Sequence, residues 1–177
     1  MKQFAFPLLC CVPAMYAVAQ YKPVDSKSTV KFTIKNFGIG VSGTFTGVEG
    51  EIIFDPKALA DAYFKVTVRS KTVNTGNDLR DGHLQGESYF DVEHYPRISF
   101  ESTHISVMPG TNTYILYGKL TIKNHTEDIS FPFTAEPSGD GYLFTGTFTI
   151  NRRNFGVGGF STISENAQIT LSVYAGK

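Results

Sequence analysis

Apolar and polar residues alternate along this 177-residue chain in eight short runs, each long enough for one β-strand. In the first run, Val30, Phe32 and Ile34 alternate with polar neighbours, which puts their side chains on one face of an extended segment. The other seven runs keep the same period of two and cover residues 41–54, 64–69, 98–101, 114–122, 129–135, 142–150 and 169–175. The pattern predicts an all-β protein.

Glycines and turn-forming residues divide these runs. The alternation slips by one residue near Gly47, which is how a β-bulge shows itself in a sequence. Turn-forming residues separate the later runs at positions 109–112, 123–125 and 137–141. The sequence contains no internal repeat and no linker, so we expect one domain over residues 20–177.

The longest irregular connection runs from residue 73 to residue 95 and predicts the one helix of the chain. Asn77 or Asp78 can cap a helix in the 76–90 connection, and Gly82 and Gly86 limit it to a turn or two. Four residues of this connection are large and apolar: Leu79, Leu84, Tyr89 and Phe90. We therefore expect it to fold against the strands, over one mouth of the domain.

Eight short antiparallel strands can form a two-sheet sandwich or close into a barrel, and closure removes the exposed sheet edges. A barrel of this size either fills its lumen with side chains or holds one small ligand. The inward positions are phenylalanine and aliphatic residues, interrupted by Gly43, Gly118 and Gly146, which we expect to leave room. From the periodicity alone, a filled core remains the favoured interpretation, because aromatic stripes are usually core.

The charged positions argue against a barrel that spans an outer membrane. Such a barrel is apolar outside and polar inside, with aromatic girdles. Here lysine, arginine and glutamate alternate with the apolar face, at Lys31, Lys35, Lys65, Arg69 and Glu101. We expect those residues to face water and the protein not to span a membrane.

The first nineteen residues have the organisation of a signal peptide. A positive start at Lys2 precedes an apolar stretch, and Ala17-Val18-Ala19 forms a small-x-small cleavage site. We favour cleavage after Ala19 over lipid attachment at Cys11, and we expect a periplasmic or secreted protein. Both cysteines, Cys10 and Cys11, would then be removed, so no disulfide is expected in the mature chain. The 16 basic and 16 acidic residues balance, which excludes a general attraction to nucleic acid.

Several segments together resemble the YceI-like family. The stretch Arg80-Asp81-Gly82-His83-Leu84 is followed by Tyr89-Phe90-Asp91 and by Tyr95-Pro96-Arg97-Ile98-Ser99-Phe100. Further similar segments lie at residues 41–47, 50–55, 118–122 with Thr126, and 150–157, in order along nearly the whole mature chain. The resemblance implies an eight-stranded antiparallel β-barrel, lipocalin-like, usually exported, which binds polyisoprenoid chains such as the tails of isoprenoid quinones.

Eleven inward residues are the candidate lining for such a tail: Phe32, Ile34, Phe45, Phe64, Val66, Phe100, Leu116, Phe131, Phe133, Phe144 and Phe148. Some of them are expected to be plain core. Arg80, His83 and Arg152 are candidates for a polar or phosphorylated head group, because arginine suits phosphate. The alternative, which we favour, is that Arg80 and Asp81 pair or cap the short helix and that Arg152 braces the loop beside Phe155.

The function predicted is an exported carrier or sequestering protein, not an enzyme, with an isoprenoid lipid or quinone as partner and no cofactor beyond that lipid. The four histidines show no metal-ligand spacing, so no metal is expected. A homodimer is left open. Two other functions also remain open: a small envelope hydrolase, and a structural or stress-response module whose barrel packs only its own side chains.

Overall fold

The computed structural model describes residues 19–159 and 162–177. The predicted signal peptide lies outside the described residues except for Ala19. Ten strands are found in these ranges: β1 Gln20–Pro23, β2 Thr29–Asn36, β3 Ile39–Phe45, β4 Glu49–Ile53, β5 Tyr63–Arg69, β6 Arg97–Val107, β7 Thr113–Ile122, β8 His125–Ser138, β9 Gly141–Asn151 and β10 Ile163–Gly176. One α-helix, α1, spans Asp78–Gln85. Short 3₁₀ turns occur at Asp25–Lys27, Leu59–Asp61, Ser70–Thr72 and Arg152–Phe155.

The strands form one antiparallel sheet that closes on itself, in the order β1-β4-β5-β6-β7-β8-β9-β10-β2-β3 with an additional β1–β10 pairing. Strand β1 closes it, because Tyr21 pairs with Ile52 of β4 and Pro23 pairs with Ala175 of β10. Strands β2 and β3 continue the wall above β1 and β4, since β2 pairs with the first part of β10. The predicted antiparallel barrel with one short helix is confirmed. Its eight predicted strands appear as ten, because the run over residues 41–54 is divided into β3 and β4 and because β1 is added.

Two details of the strands differ from the sequence prediction. Strand β1 was not predicted, because its four residues are too few to show an alternation. The slip at Gly47 corresponds to a break at residues 46–48, outside both β3 and β4, and not to a single-residue bulge. Gly47 has a φ of 73° there, and the Val48 N–H donates to Oδ1 of Asp25 at 2.8 Å, so a side chain replaces the sheet partner.

Because the strands are antiparallel, their connections alternate between two ends of the barrel. We call the upper end the one that carries the β2–β3, β5–β6, β7–β8 and β9–β10 connections, and the lower end the one that carries the β4–β5, β6–β7 and β8–β9 connections. Helix α1 belongs to the β5–β6 connection and therefore lies at the upper end. The Asn77 side chain caps it by accepting from the Arg80 N–H at 2.9 Å.

The two faces of the wall divide as the alternation predicts. The five charged residues expected to face water, from Lys31 to Glu101, are all exposed. A cluster of buried apolar residues lies inside the barrel and runs from Phe54, Phe64 and Phe144 in the lower half to Ile122 and Ile150 near the upper end. No helix within residues 19–159 and 162–177 is long and apolar enough to cross a bilayer.

Candidate functional site in the barrel lumen

The upper half of the lumen contains a cavity of about 450 Å³, within the usual range of small-molecule pockets. Its wall is built from inward side chains of the strands, and its upper part from the β5–β6 connection that carries α1. Most of the residues around it are aliphatic or aromatic. Such a wall suits an apolar ligand because it offers few hydrogen-bonding groups to compete with water.

The cavity is closed below by a layer of aromatic rings. Phe64, Phe133 and Phe144 form its floor, and Phe54 lies beneath them without lining it. The Phe54 ring is 1 % exposed and contacts the floor with ring centroids 5.4–6.2 Å apart. Tyr114 and Tyr142 complete the plug from the lower end, both with centroids 5.3 Å from Phe54. The lumen is therefore a pocket with one closed end.

Above this floor, inward apolar residues retain accessible surface although they lie inside a closed barrel. This group is half-buried and lines the cavity: Phe32, Ile34, Val66, Phe148, Ile169 and Leu171. The floor residues, by contrast, are at most 6 % exposed. In a lumen filled by its own side chains the inward positions at both levels would be equally buried. The lumen of this barrel is packed at the lower end and open at the upper end.

Of the three inward glycines, Gly146 lines the cavity, but Gly43 and Gly118 do not make the room that the sequence prediction assigned to them. A β-carbon at Gly43 would overlap the Phe32 ring, and one at Gly118 would lie 2.5 Å from Cζ of Phe100. Both glycines accommodate phenylalanine rings of the neighbouring strands, so the space they free is already filled. That part of the prediction is wrong, because the alternation shows which face a glycine is on but not which side chain leans over it.

The β5–β6 connection covers the cavity from above. Leu84, Tyr89 and Phe90 line it, and the Phe90 ring meets that of Phe45 edge to face at 5.2 Å. Leu79 and His83 also line the cavity but are exposed to solvent, so the cavity opens beside α1. The connection folds over one mouth as its apolar content predicted.

Arg80 lies on the cavity side of α1 and is held by the residues that precede the helix. Its Nε donates to Oγ1 of Thr75 at 2.7 Å, and Nη2 donates to the Thr75 carbonyl at 3.0 Å. The Thr75 hydroxyl donates in turn to Asp81, whose Oδ1 also accepts from the Thr75 N–H. This network fixes the guanidinium at the polar rim of the cavity, where Asn36 and Asn77 also lie.

Arg152 is 5 % exposed, and its guanidinium is bonded to backbone carbonyls of the loop that follows β9 and of the first residues of β10. Nε donates to Ser164 at 2.9 Å, Nη1 to Val157 at 2.6 Å and Nη2 to Ile163 at 3.0 Å. These contacts place Arg152 where it braces the loop, which was the alternative to binding a head group. Part of its side chain nevertheless lines the cavity.

All the candidate site residues named from the sequence line this one cavity: the eleven lining residues together with Arg80, His83 and Arg152. Their contact with a ligand stays a prediction. Four apolar residues of the connections line the cavity but were not among the candidates: Leu84, Tyr89, Phe90 and Val157. The apolar content of residues 79–90 could have identified Leu84, Tyr89 and Phe90. It indicated that this segment packs on the barrel, but not which of its side chains point into the lumen.

Most of the described titratable groups with shifted pKa values lie on the outer surface; the exception is Tyr142 in the plug, where burial raises the pKa of the phenol. The Arg69 and Arg97 guanidiniums, bonded to Glu49 at 2.6 and 2.9 Å, lower the pKa of that carboxyl. The hydrogen bond from Tyr63 to Glu101 raises the pKa of the phenol to about 12. Within residues 19–159 and 162–177 there is no group of three histidine, cysteine or acidic side chains placed to hold a metal ion.

Comparison with known proteins agrees with this architecture. The family model of the YceI-like domain matches residues 21–175 of the chain. The chain belongs to the YceI-like family. A UPF0312 protein of Pseudomonas aeruginosa is 28 % identical over 175 residues, which cover 90 % of this chain and 91 % of that protein.

Two solved structures superpose on this barrel. BcnA of Burkholderia cenocepacia matches with a TM-score of 0.81 and 27 % identity, over 86 % of this chain and 98 % of BcnA. A polyisoprenoid binding domain from Saccharophagus degradans, implicated in plant cell wall breakdown, matches with a TM-score of 0.70 and 13 % identity, over 88 % and 97 % of the two chains. At that identity the second likeness shows the fold alone.

Proposed function

We propose that this protein is an exported carrier or sequestering protein that holds a polyisoprenoid chain, such as the tail of an isoprenoid quinone, in the upper half of its barrel. The observation that carries the proposal is the ring of half-buried apolar residues inside a closed wall, from Phe32 to Leu171. Membership of the YceI-like family and the likeness to a polyisoprenoid binding domain support it.

The tail would enter beside α1 and end on the floor formed by Phe64, Phe133 and Phe144. Burial yields about 0.8 kcal/mol per CH₂, so a five-carbon isoprene unit contributes about 3–4 kcal/mol before losses of motion are counted. A few units are enough for tight binding. The wall selects a slender apolar chain and discriminates little among head groups.

The head group would stay at the upper rim, near Arg80 and His83. Arg80 is anchored through Thr75 with Nε and Nη2, which leaves Nη1 to face a polar group at the rim. Arg152 is assigned to the brace of the β9–β10 loop and not to the head group. Export of the protein rests on the signal-peptide pattern of residues 1–19.

Native mass spectrometry of the purified protein, followed by extraction and analysis of the lipid, tests the proposal. We expect an isoprenoid to co-purify with the wild type. The double variant Ile34→Asp/Phe148→Asp puts two charges into the cavity wall and should lose the lipid. The matched control Thr147→Asp/Thr149→Asp puts two charges on exposed positions of β9 and should keep it.

Circular dichroism establishes that both variants remain folded. Retention of lipid by the cavity variant would contradict the assignment of the lumen as the site. Hydrolysis of a model ester by wild type that carries no lipid would favour the hydrolase instead. Absence of both lipid and turnover would favour the structural module.

A further inference from the structure

Large apolar side chains are exposed at the upper end, around the opening of the cavity. Phe37 is 77 % exposed, Ile39 is 71 % exposed and Leu79 is 73 % exposed. The first two form the tip of the β2–β3 hairpin, and the third lies on α1. The hairpin and the helix border the same cavity, because Asn36, Val41 and Leu79 all line it. We call Phe37, Ile39 and Leu79 the rim patch.

The hairpin turn holds Phe37 outward at a conformational cost. The two turn residues Phe37 and Gly38 have φ values of 49° and 80°, which is the left-handed combination of a tight two-residue hairpin. Asparagine or aspartate is the usual residue at the first of these positions, and a large aromatic there is disfavoured. The Phe37 N–H donates to the Thr162 carbonyl at 3.2 Å, which fixes the turn against the start of β10. The protein thus keeps a phenylalanine in water at a position that suits a small polar residue.

The area and the charges of this end indicate what covers the patch. Three such side chains expose roughly 300–400 Å² of apolar surface, which is at most half of the ~800 Å² that each partner buries in a stable protein interface. Residues 29–45 of the hairpin contain two cations, Lys31 and Lys35, and no acidic residue, whereas Leu79 on α1 lies between Asp78 and Arg80, whose charges balance. Apolar side chains flanked by lysine are the composition of a surface that rests in the interface of a bilayer.

We infer that the rim patch docks the upper end of the barrel on a lipid bilayer, with Phe37, Ile39 and Leu79 inserted among the acyl chains. The inference rests on the proposed function, and it deepens it by assigning the route of the ligand. A polyisoprenoid tail that leaves a membrane through water exposes its whole apolar length, whereas a docked opening lets the tail pass from one apolar phase to the other. The lower end, with its aromatic plug, faces away from the membrane.

Vesicle binding in the absence of isoprenoid tests the docking directly. All ten strands lie between Gln20 and Gly176, so the protein is prepared from Gln20 onward, which keeps residues 1–19 from contributing. Flotation with phosphatidylcholine vesicles, alone and with one quarter phosphatidylglycerol, measures the partition. We expect the triple variant Phe37→Ser/Ile39→Ser/Leu79→Ser to lower the partition coefficient at least tenfold. The control Val107→Ser/Met108→Ser removes exposed apolar residues of the lower end and should leave it unchanged.

The chain contains no tryptophan, so a single one reports on insertion. In Phe37→Trp we expect a blue shift of the emission on addition of vesicles and quenching by brominated lipid. In Val107→Trp we expect neither. An unshifted emission in Phe37→Trp, or equal partition of the triple variant and the wild type, would overturn the inference.

The result is separable from the test of the cavity ligand. Insertion of Phe37→Trp by a protein that extracts no isoprenoid supports docking and removes the proposed ligand. A protein that carries an isoprenoid but does not partition into vesicles supports the proposed ligand and overturns the docking. A concentration-dependent dimer in sedimentation velocity, abolished by the triple variant and without vesicle binding, would assign the patch to a second copy of the chain and overturn the docking.

Discussion

The rings of Phe54 and Phe144 meet edge to face, with their centroids 5.4 Å apart and an angle of 89° between their planes. Phe144 faces the cavity on one side of this contact, and Phe54 lies on the other side, out of reach of the cavity. The contact marks the boundary between the packed lower half of the barrel and the open upper half. A lipid tail in this protein would have a fixed end point.

Phe54→Ala removes the centre of the plug and should lower the free energy of unfolding by about 3–5 kcal/mol, the range for a buried phenylalanine. Urea denaturation measures the loss. The matched control is Phe37→Ala, because that ring is 77 % exposed and little packing is lost with it. A loss below about 1 kcal/mol in Phe54→Ala would show that the lower half is not the packed layer described above.

Gly118→Ala tests the close approach of Phe100 to the backbone of β7. The added carbon would lie 2.5 Å from both the Glu101 carbonyl oxygen and Cζ of Phe100, so we expect a loss of about 1–3 kcal/mol by overpacking. Gly40→Ala is the control, since a β-carbon there meets nothing within 4 Å and should be neutral or stabilise by up to about 1 kcal/mol. Equal unfolding free energies for the two variants would contradict the packing of Phe100 over Gly118.

Arg152→Lys separates the brace from a head-group role. A lysine cannot reproduce the fork that bonds several carbonyls at once, so we expect a loss of about 2–4 kcal/mol in unfolding free energy. Arg153→Lys, in which the replaced arginine is paired with Glu165 at the surface, should change stability by less than about 0.5 kcal/mol. An Arg152→Lys protein of wild-type stability that has lost its lipid would reverse the assignment.

The Glu49 carboxylate should make stability depend on pH in acid. Hydrogen bonds from Arg69 and Arg97 lower its native pKa below 4.5, so the unfolded chain binds the proton more readily. The stabilisation is present above pH 4.5 and is lost as the pH falls through the lowered native pKa.

Glu49→Gln should therefore have a lower Tm than wild type at pH 7, and the difference should shrink toward zero as the pH falls through the lowered native pKa of Glu49. Thermal unfolding followed by circular dichroism across this range checks it. Glu136→Gln, an exposed glutamate on β8, should leave the Tm unchanged throughout. A constant Tm difference for Glu49→Gln at every pH would indicate a packing effect and not an ionic one.

The sequence predicted the faces of the strands better than their depth. Phe148 and Phe133 have the same alternation, and both were placed inside the barrel, where the structure puts them. Their levels differ: Phe133 lies in the floor, and Phe148 is half-buried in the wall. Depth depends on the stagger between neighbouring strands, and a period of two carries no information on stagger.

The roof of the cavity and the closing strand β1 could not be predicted from the alternation of apolar and polar residues, for a different reason. Tyr89 and Phe90 lie in an irregular connection, where no period relates one side chain to the next, so their direction follows only from packing on Phe45. Strand β1 forms because Tyr21 and Pro23 complete the pairing of two distant strands, β4 and β10. Contacts of that kind are set by the closed barrel and not by local sequence.

The most direct measurement of the account is the affinity of the lipid-free protein for isoprenoid alcohols of increasing length. The dissociation constant should fall by at least about tenfold with each added isoprene unit while the tail descends the wall, and then become constant when it reaches Phe144 above Phe54. An affinity that does not change with chain length, or no binding at any length, would contradict an apolar pocket with one closed end as the site of the ligand.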